Sequence, residues 1–272
     1  MTVDNITRAR MIGDLERVDS YPRKFGVREL QLLKSALYNK NIDDTFEQAL
    51  VVSNFDDADG TIYTGATAEV GSFNSGRHQY EFYQAAVASA AVVAPYQSAD
   101  GLELQPVAAA DALELTNGIS SRSRAAFTVG TDAAFFCEAK IKIDDISDVT
   151  EFFYGFRKAE AYQADPDSYD EMAAFNVGLD ADGQIEIHTI LNNAATAETD
   201  TTLTDWADAG EKTLRIEVAK NGQCKFYVDG VEPTVTAAFT FDAGEVVVPF
   251  LHLNTETGDP GLSISTWRCG SL

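Results

Sequence analysis

The residues able to do chemistry in this chain are few and scattered. Glycoside hydrolysis needs two carboxylates facing one cleft, one to donate a proton and one to attack or to activate water. The nearest pairings are Glu138 with Asp144 or Asp145, and Glu186 with His188. Glu138 and Asp144 are an even number of residues apart, so a strand would put both on one face. Solvated strand residues are nevertheless the better reading of these positions. The histidines are His78, His188 and His252, and none has a second His or Cys at short ligand spacing, which argues against zinc. His188 lies among Ile187 and Ile190 and is expected to face solvent. No Gly-x-Ser-x-Gly elbow, Cys–His signature or phosphate loop occurs. No catalytic residue and no metal ligand set is expected, and the chain reads as a non-enzyme.

Two kinds of ligand fit the remaining side chains. Calcium prefers oxygen donors, which cluster in Asp56–Gly60, Asp180–Gly183 and Asn254–Asp259. No complete EF-hand loop is present, and Asp and Gly are also the ordinary turn formers. No cofactor is therefore expected, with calcium kept as the exception. A glycan needs an aromatic ring on an exposed surface. Trp206, beside Asp205 and Asp208, is the best-placed contact, although packing at a strand end is the commoner use of such a residue. Trp267 lies in the last apolar run and is expected in the core.

Charge divides the chain. Residues 1–40 hold eight of the 20 Lys/Arg but only five of the 43 Asp/Glu, so a basic head precedes an acidic body in a chain of net charge −23. Such a body repels nucleic acid and anionic membrane, so neither is an expected partner. Cys137, Cys224 and Cys269 are odd in number, show no metal spacing and read as packed free thiols, which suits a reducing cytoplasm. The N-terminus lacks the apolar region of a signal peptide, and the longest apolar stretch, Ala85–Ala94, is too short to span a bilayer.

The elements that would position these groups follow from hydrophobic spacing. Val3, Ile6, Ile12, Leu15 and Val18 recur at helical intervals until Tyr21-Pro22, and Leu30, Leu33 and Leu37 mark a second helix over Val27–Tyr38. Two short amphipathic helices cannot bury both stripes against each other, so they must dock elsewhere. The docking set is Arg8, Arg10, Ile12, Leu15, Arg17, Leu30, Leu33 and Leu37. Residues 41–95, punctuated by Gly60, Gly65, Gly71 and Gly76, read as an irregular connector. Beyond Tyr96 the period changes to two. Phe135, Cys137, Ala139, Ile141 and Ile143 share one face of Ala133–Ile143, with Glu138, Lys140 and Lys142 on the other. Further strands are expected at Glu151–Phe156, Ala173–Leu179, Gln184–Leu191, Leu214–Ala219, Gln223–Val228, Val246–Leu253 and Leu262–Trp267, joined by turns such as Lys220-Asn221-Gly222 and Asp229-Gly230. Residues 96–272 are thus predicted to form an antiparallel two-sheet sandwich, after a helical arm (1–40) and a connector (41–95).

The order of these strands resembles a concanavalin A-like, laminin-G-like jelly roll. Ala133–Ile143 is similar to its first wide strand, and EFFYGFR (Glu151–Arg157) to a partner strand containing a glycine. TLRIEVAKNGQCKFYVDG, from Thr213, is similar to its Asn-Gly and Asp-Gly hairpin. The paired-carboxylate motif of the glycosidases with this fold, Glu-x-Asp-x-x-Glu, is absent. The arrangement also resembles structural proteins of tailed bacteriophages, in which such a sandwich follows a helical or irregular region. That resemblance implies a virion protein, a capsid decoration or cement protein assembled in the host cytoplasm. It would dock on the major capsid protein through residues 1–40 and associate as a homo-oligomer. The alternative it implies is a lectin-like, glycan-binding module on a phage fibre or cell surface.

Overall fold

The computed structural model describes residues 42–45, 69–74, 79–85 and 96–97 as strand backbone, together with 100–104, 112–116, 126–163, 165–177, 183–255 and 260–272. The chain divides into two units, Met1–Asn39 and Lys40–Leu272, and only the second contains described residues. The helices expected over Val3–Val18 and Val27–Tyr38, with the whole docking set from Arg8 to Leu37, lie outside them. So do the Asp56–Gly60 loop, residues 180–182 and residues 256–259.

The described part is two antiparallel sheets forming a sandwich. One sheet runs in the order β14 (Cys224–Val228), β13 (Gly210–Val218), β8 (Phe135–Ile143), β16 (Leu262–Ser271), β5 (Leu102–Leu104), β4 (Tyr96–Gln97), with β1 (Ile42–Thr45) also paired to β16. The other runs β12 (Ala197–Asp200), β11 (Ile185–Ile190), β10 (Met172–Val177), β9 (Val149–Lys158), β15 (Val246–Thr255), β6 (Ala112–Thr116), β3 (Gln79–Ala85), β2 (Glu69–Asn74), with β7 (Phe127–Thr128) on β15. Three strands, β1, β2 and β3, thus fall within the stretch read as connector and pair with strands of the sandwich.

The smaller sheet follows the period-two rule. Along β8 every second side chain, Phe135 to Ile143, is buried, and Glu138, Lys140 and Lys142 are partly exposed on the opposite face. Those outward charges are paired. Arg215 and Arg268 each donate to a different oxygen of Glu138 at 3.0 Å, and the Arg215 guanidinium lies 4.0 Å over the Phe136 ring. The β13–β14 hairpin is followed by Asp229 and Gly230, both at positive φ (51° and 79°), as a tight turn after Val228 demands. Between the sheets lies a core in which Tyr154 packs edge-on against Trp267 and Phe175 against Phe226. All three cysteines are free and buried, as the sequence suggested.

The larger sheet breaks the alternation. In β9, β10 and β6 the buried residues run consecutively: Phe152 to Arg157, Met172 to Val177 and Ala112 to Thr116. A strand buried on both faces has this signature. The outer face therefore has a small core of its own: Phe153, Tyr169, Met172, Ala174, Ile190 and Phe250.

Candidate functional site

Register fixes which side chains meet on that outer face. Opposed residues of antiparallel strands share a face. One row across the sheet reads Asp200, Glu186, Asn176, Phe153, His252, Glu114. The next reads Glu198, His188, Ala174, Gly155, Phe250, Thr116. Gly155 lets β9 approach β10 and the Ile216 side chain of the other sheet closely. A methyl group there would collide with the Ala173 carbonyl oxygen and lie 2.6 Å from the Ala174 Cα.

One end of the rows is closed by a charged clamp. Arg157 and Glu114 are both fully buried and paired through Nε (3.1 and 3.2 Å) and Nη2. The Tyr169 hydroxyl donates to Glu114 Oε2 at 2.6 Å, and its ring lies 4.6 Å from the guanidinium carbon. Arg157 Nη1 also donates to the carbonyls of Lys158 and Glu160. Burial and the Glu114 charge raise the Tyr169 phenol far above its ordinary range, so it stays protonated and keeps its hydrogen bond to the carboxylate. A buried pair of this kind holds because its hydrogen bonds are completed by neighbours. Tyr169 comes from the Ala159–Glu171 connection between β9 and β10, so the clamp folds that connection back over the sheet.

The middle of the rows is polar and under-satisfied. Phe153 sits edge-on between two imidazoles, 5.4 Å from His188 and 6.3 Å from His252. Among the described residues, neither ring nitrogen of His252 has a hydrogen-bond partner, and the Oδ1 atoms of Asn176 and Asn254 also lack one. Burial, reinforced by the Arg157 charge, pushes the His252 imidazole down to about 3, so it is neutral at physiological pH.

The other end is an acidic rim. His188 Nε2 lies 2.9 Å from Glu186 Oε2, and Nδ1 faces the Asn176 amide at 3.5 Å. Glu198 is exposed, and Glu186, Glu151 and Asn254 are partly exposed. Burial, then the charges of Asp167, Asp165 and Glu198, raise the Glu151 carboxyl to about 7.

Several expectations change here. His188, expected to face solvent, is 3% exposed, because the outer face is itself covered. Trp206, chosen as a possible exposed glycan contact, is 1% exposed and belongs to the inter-sheet core. Its Nε1 donates to the Gly210 carbonyl at 2.9 Å, and its ring meets Phe152 edge-on. Its Asp-rich neighbourhood reflects a loop, while the indole turns inward. Glu138 and Asp144 do not form a free carboxylate pair: arginines hold Glu138, and Lys142 contacts Asp144 at 2.9 Å. The pairing of Glu186 with His188 is present. Sequence reasoning passed over Asn176, Phe153, Glu114 and Arg157, and weighed His252 only as a zinc ligand. The available signal was a charged residue inside a continuous apolar run, Glu114 in ALELT and Arg157 in EFFYGFR.

No protein-family profile and no curated protein matches the chain. Solved structures do resemble it. The Emp46p carbohydrate recognition domain in its potassium-bound form superposes with a TM-score of 0.49 at 10% identity, covering 65% of this chain and 86% of that one. The legume lectin-like domain from Entamoeba histolytica gives 0.47 at 8%, covering 65% and 87%. The Caenorhabditis elegans galectin LEC-6 gives 0.32 at 12%, covering 58% and 95%. None of these three is a phage structural protein.

Proposed function

We propose that the chain is a carbohydrate-binding module and that the outer face of the larger sheet receives the sugar. The observation that carries this reading is the group of unpartnered polar atoms around Phe153: both ring nitrogens of His252 and the amide oxygens of Asn176 and Asn254. A buried polar group without a partner costs about 1–3 kcal/mol, and a bound ligand is one thing that relieves that cost. Vicinal sugar hydroxyls both donate and accept. They match a neutral imidazole, which does both, and amide oxygens, which accept. These atoms are buried, so in this reading the sugar enters from the rim of Glu186, Glu198, Glu151 and Asn254 and displaces what covers them.

This reading takes binding without turnover; Glu138, the carboxylate weighed for hydrolysis, lies on the other sheet and is held by two arginines. Calcium at the Asn254–Asp259 loop would be an addition to the proposal, tested by repeating the assay in EDTA. Carriage on a virion, docked through residues 1–40, is a separate proposal about location, established by recovering the chain from purified virions by mass spectrometry. The function itself is tested on a glycan array with wild type, Asn176→Ala and His252→Phe, each checked for folding by thermal melting. Wild type is expected to retain a defined set of glycans and the folded variants to lose them. A wild-type protein that retains none contradicts the proposal.

A further inference from the structure

Glu186, His188 and Glu198 stand at the open end of the site with their ligand atoms all within 4.8 Å of one another. We propose that they hold a first-row divalent cation of the zinc class, independently of any sugar. Three features point this way. First, neither carboxylate lies within ion-pair distance of a lysine or arginine among the described residues; the contact of Glu186 is His188. Two carboxylates beside one another without a cation repel, and a dication removes that repulsion.

Second, the donor set is mixed. One imidazole nitrogen with two carboxylates suits zinc or a neighbouring transition ion, whereas calcium takes six to eight oxygens. Tetrahedral zinc, with bonds of about 2.0–2.2 Å, needs ligand atoms about 3.4 Å apart. Glu198 is exposed on edge strand β12, so its side chain can close the remaining distance by rotation.

Third, a buried amide lies beside the second ring nitrogen and can hold it. Asn176 is 1% exposed, and its amide lies against His188 Nδ1 with the nitrogen nearer and Oδ1 unpartnered. The two ends of an amide are interchangeable by a flip. After it, Oδ1 accepts from Nδ1–H, and this tautomer leaves the Nε2 lone pair facing Glu186 and Glu198. Metal-binding histidines are held by a partner on the other nitrogen in this way. As placed, the Asn176 amide nitrogen can donate to Nδ1, and Nε2–H then donates to Glu186 Oε2 at 2.9 Å; the flip frees Nε2 to take a cation in place of that proton.

The test uses the full chain, stripped with EDTA and titrated calorimetrically with zinc chloride in the absence of glycan. The expected result is one saturable site, at least ten-fold tighter for zinc than for calcium. Glu198→Gln and His188→Gln should abolish it, and Asn176→Ala should weaken it about ten- to hundred-fold. Glu211→Gln, on the other sheet, should leave it unchanged. Glu198→Gln alters an exposed edge residue, and an unchanged melting curve confirms its fold. Cobalt gives a second readout: visible d–d bands in wild type that vanish in Glu198→Gln. No saturable zinc binding, equal affinity for calcium, or binding unaffected by Glu198→Gln would overturn the proposal. A glycan array without hits would sink the carbohydrate reading and leave this one standing.

Discussion

At the scale of single residues, the outer face holds two kinds of buried polar group, and they behave oppositely. In the Glu114–Arg157–Tyr169 clamp every member is hydrogen-bonded. Removing one member strands the others, so Glu114→Ala is expected to destabilise the protein by about 3–5 kcal/mol. Tyr169→Phe, which deletes one charge-assisted hydrogen bond, should cost about 1.5–3 kcal/mol, and urea denaturation reads both. His252 is the contrasting case, since neither of its nitrogens is bonded among the described residues. Its imidazole is depressed from the ordinary 6.5 to about 3 in the folded protein. The unfolded chain therefore binds a proton below pH 6.5 that the folded chain refuses, and stability falls as pH drops from 6.5 toward 3. His252→Phe should flatten that acid limb. An unchanged acid limb in this variant would mean that His252 is solvated in the native state.

At the scale of elements, the sandwich is legible in the sequence where strands are wetted on one side. The alternation in β8 and the turn residues after β13 and β14 mark their boundaries to within a few residues. The larger sheet is harder to read, because β6, β9 and β10 are buried on both faces and have no period-two pattern to follow. The same cause misplaces His188 in solvent: alternation says which residues share a face but not what covers it. Trp206 misleads for a related reason, since a tryptophan among aspartates looks exposed until the chain turns its ring inward. Strands β1 and β2 are short and largely polar, and β3, QYEFYQA, carries three aromatics but sits in a glycine-punctuated stretch that read as connector. Gly155 is the element-scale feature that the structure adds. An alanine methyl there would run into the Ala173 carbonyl oxygen, so Gly155→Ala must push β9 away from β10. An overpacking penalty of about 1–3 kcal/mol is expected, visible as a lower midpoint in urea.

At the scale of the whole molecule, the excess of acid shapes stability. Burial raises both Glu151 and Glu171 to about 7, with Asp167, Asp165 and Glu198 acting further on the first and Glu245 and Asp242 on the second. Each is an acid whose folded value exceeds its ordinary 4.5. The folded state thus holds protons that the unfolded state has lost between pH 4.5 and 7, and stability declines as pH rises through that window. Self-repulsion in a chain of net charge −23 acts in the same direction. Together with the acid limb of His252, this predicts a melting temperature that peaks at mildly acidic pH and falls on both sides, read by calorimetry across the range from acid to mildly alkaline. Glu151→Gln should reduce the decline on the alkaline side.

A sugar bound as proposed meets His188 and His252 across the outer face of the larger sheet. The chain has only three histidines, so their imidazole signals can be resolved by NMR after selective isotope labelling. Titration with a glycan chosen from the array should shift the His188 and His252 resonances in proportion to saturation. A glycan that saturates the protein while both resonances stay in place would contradict binding at this face.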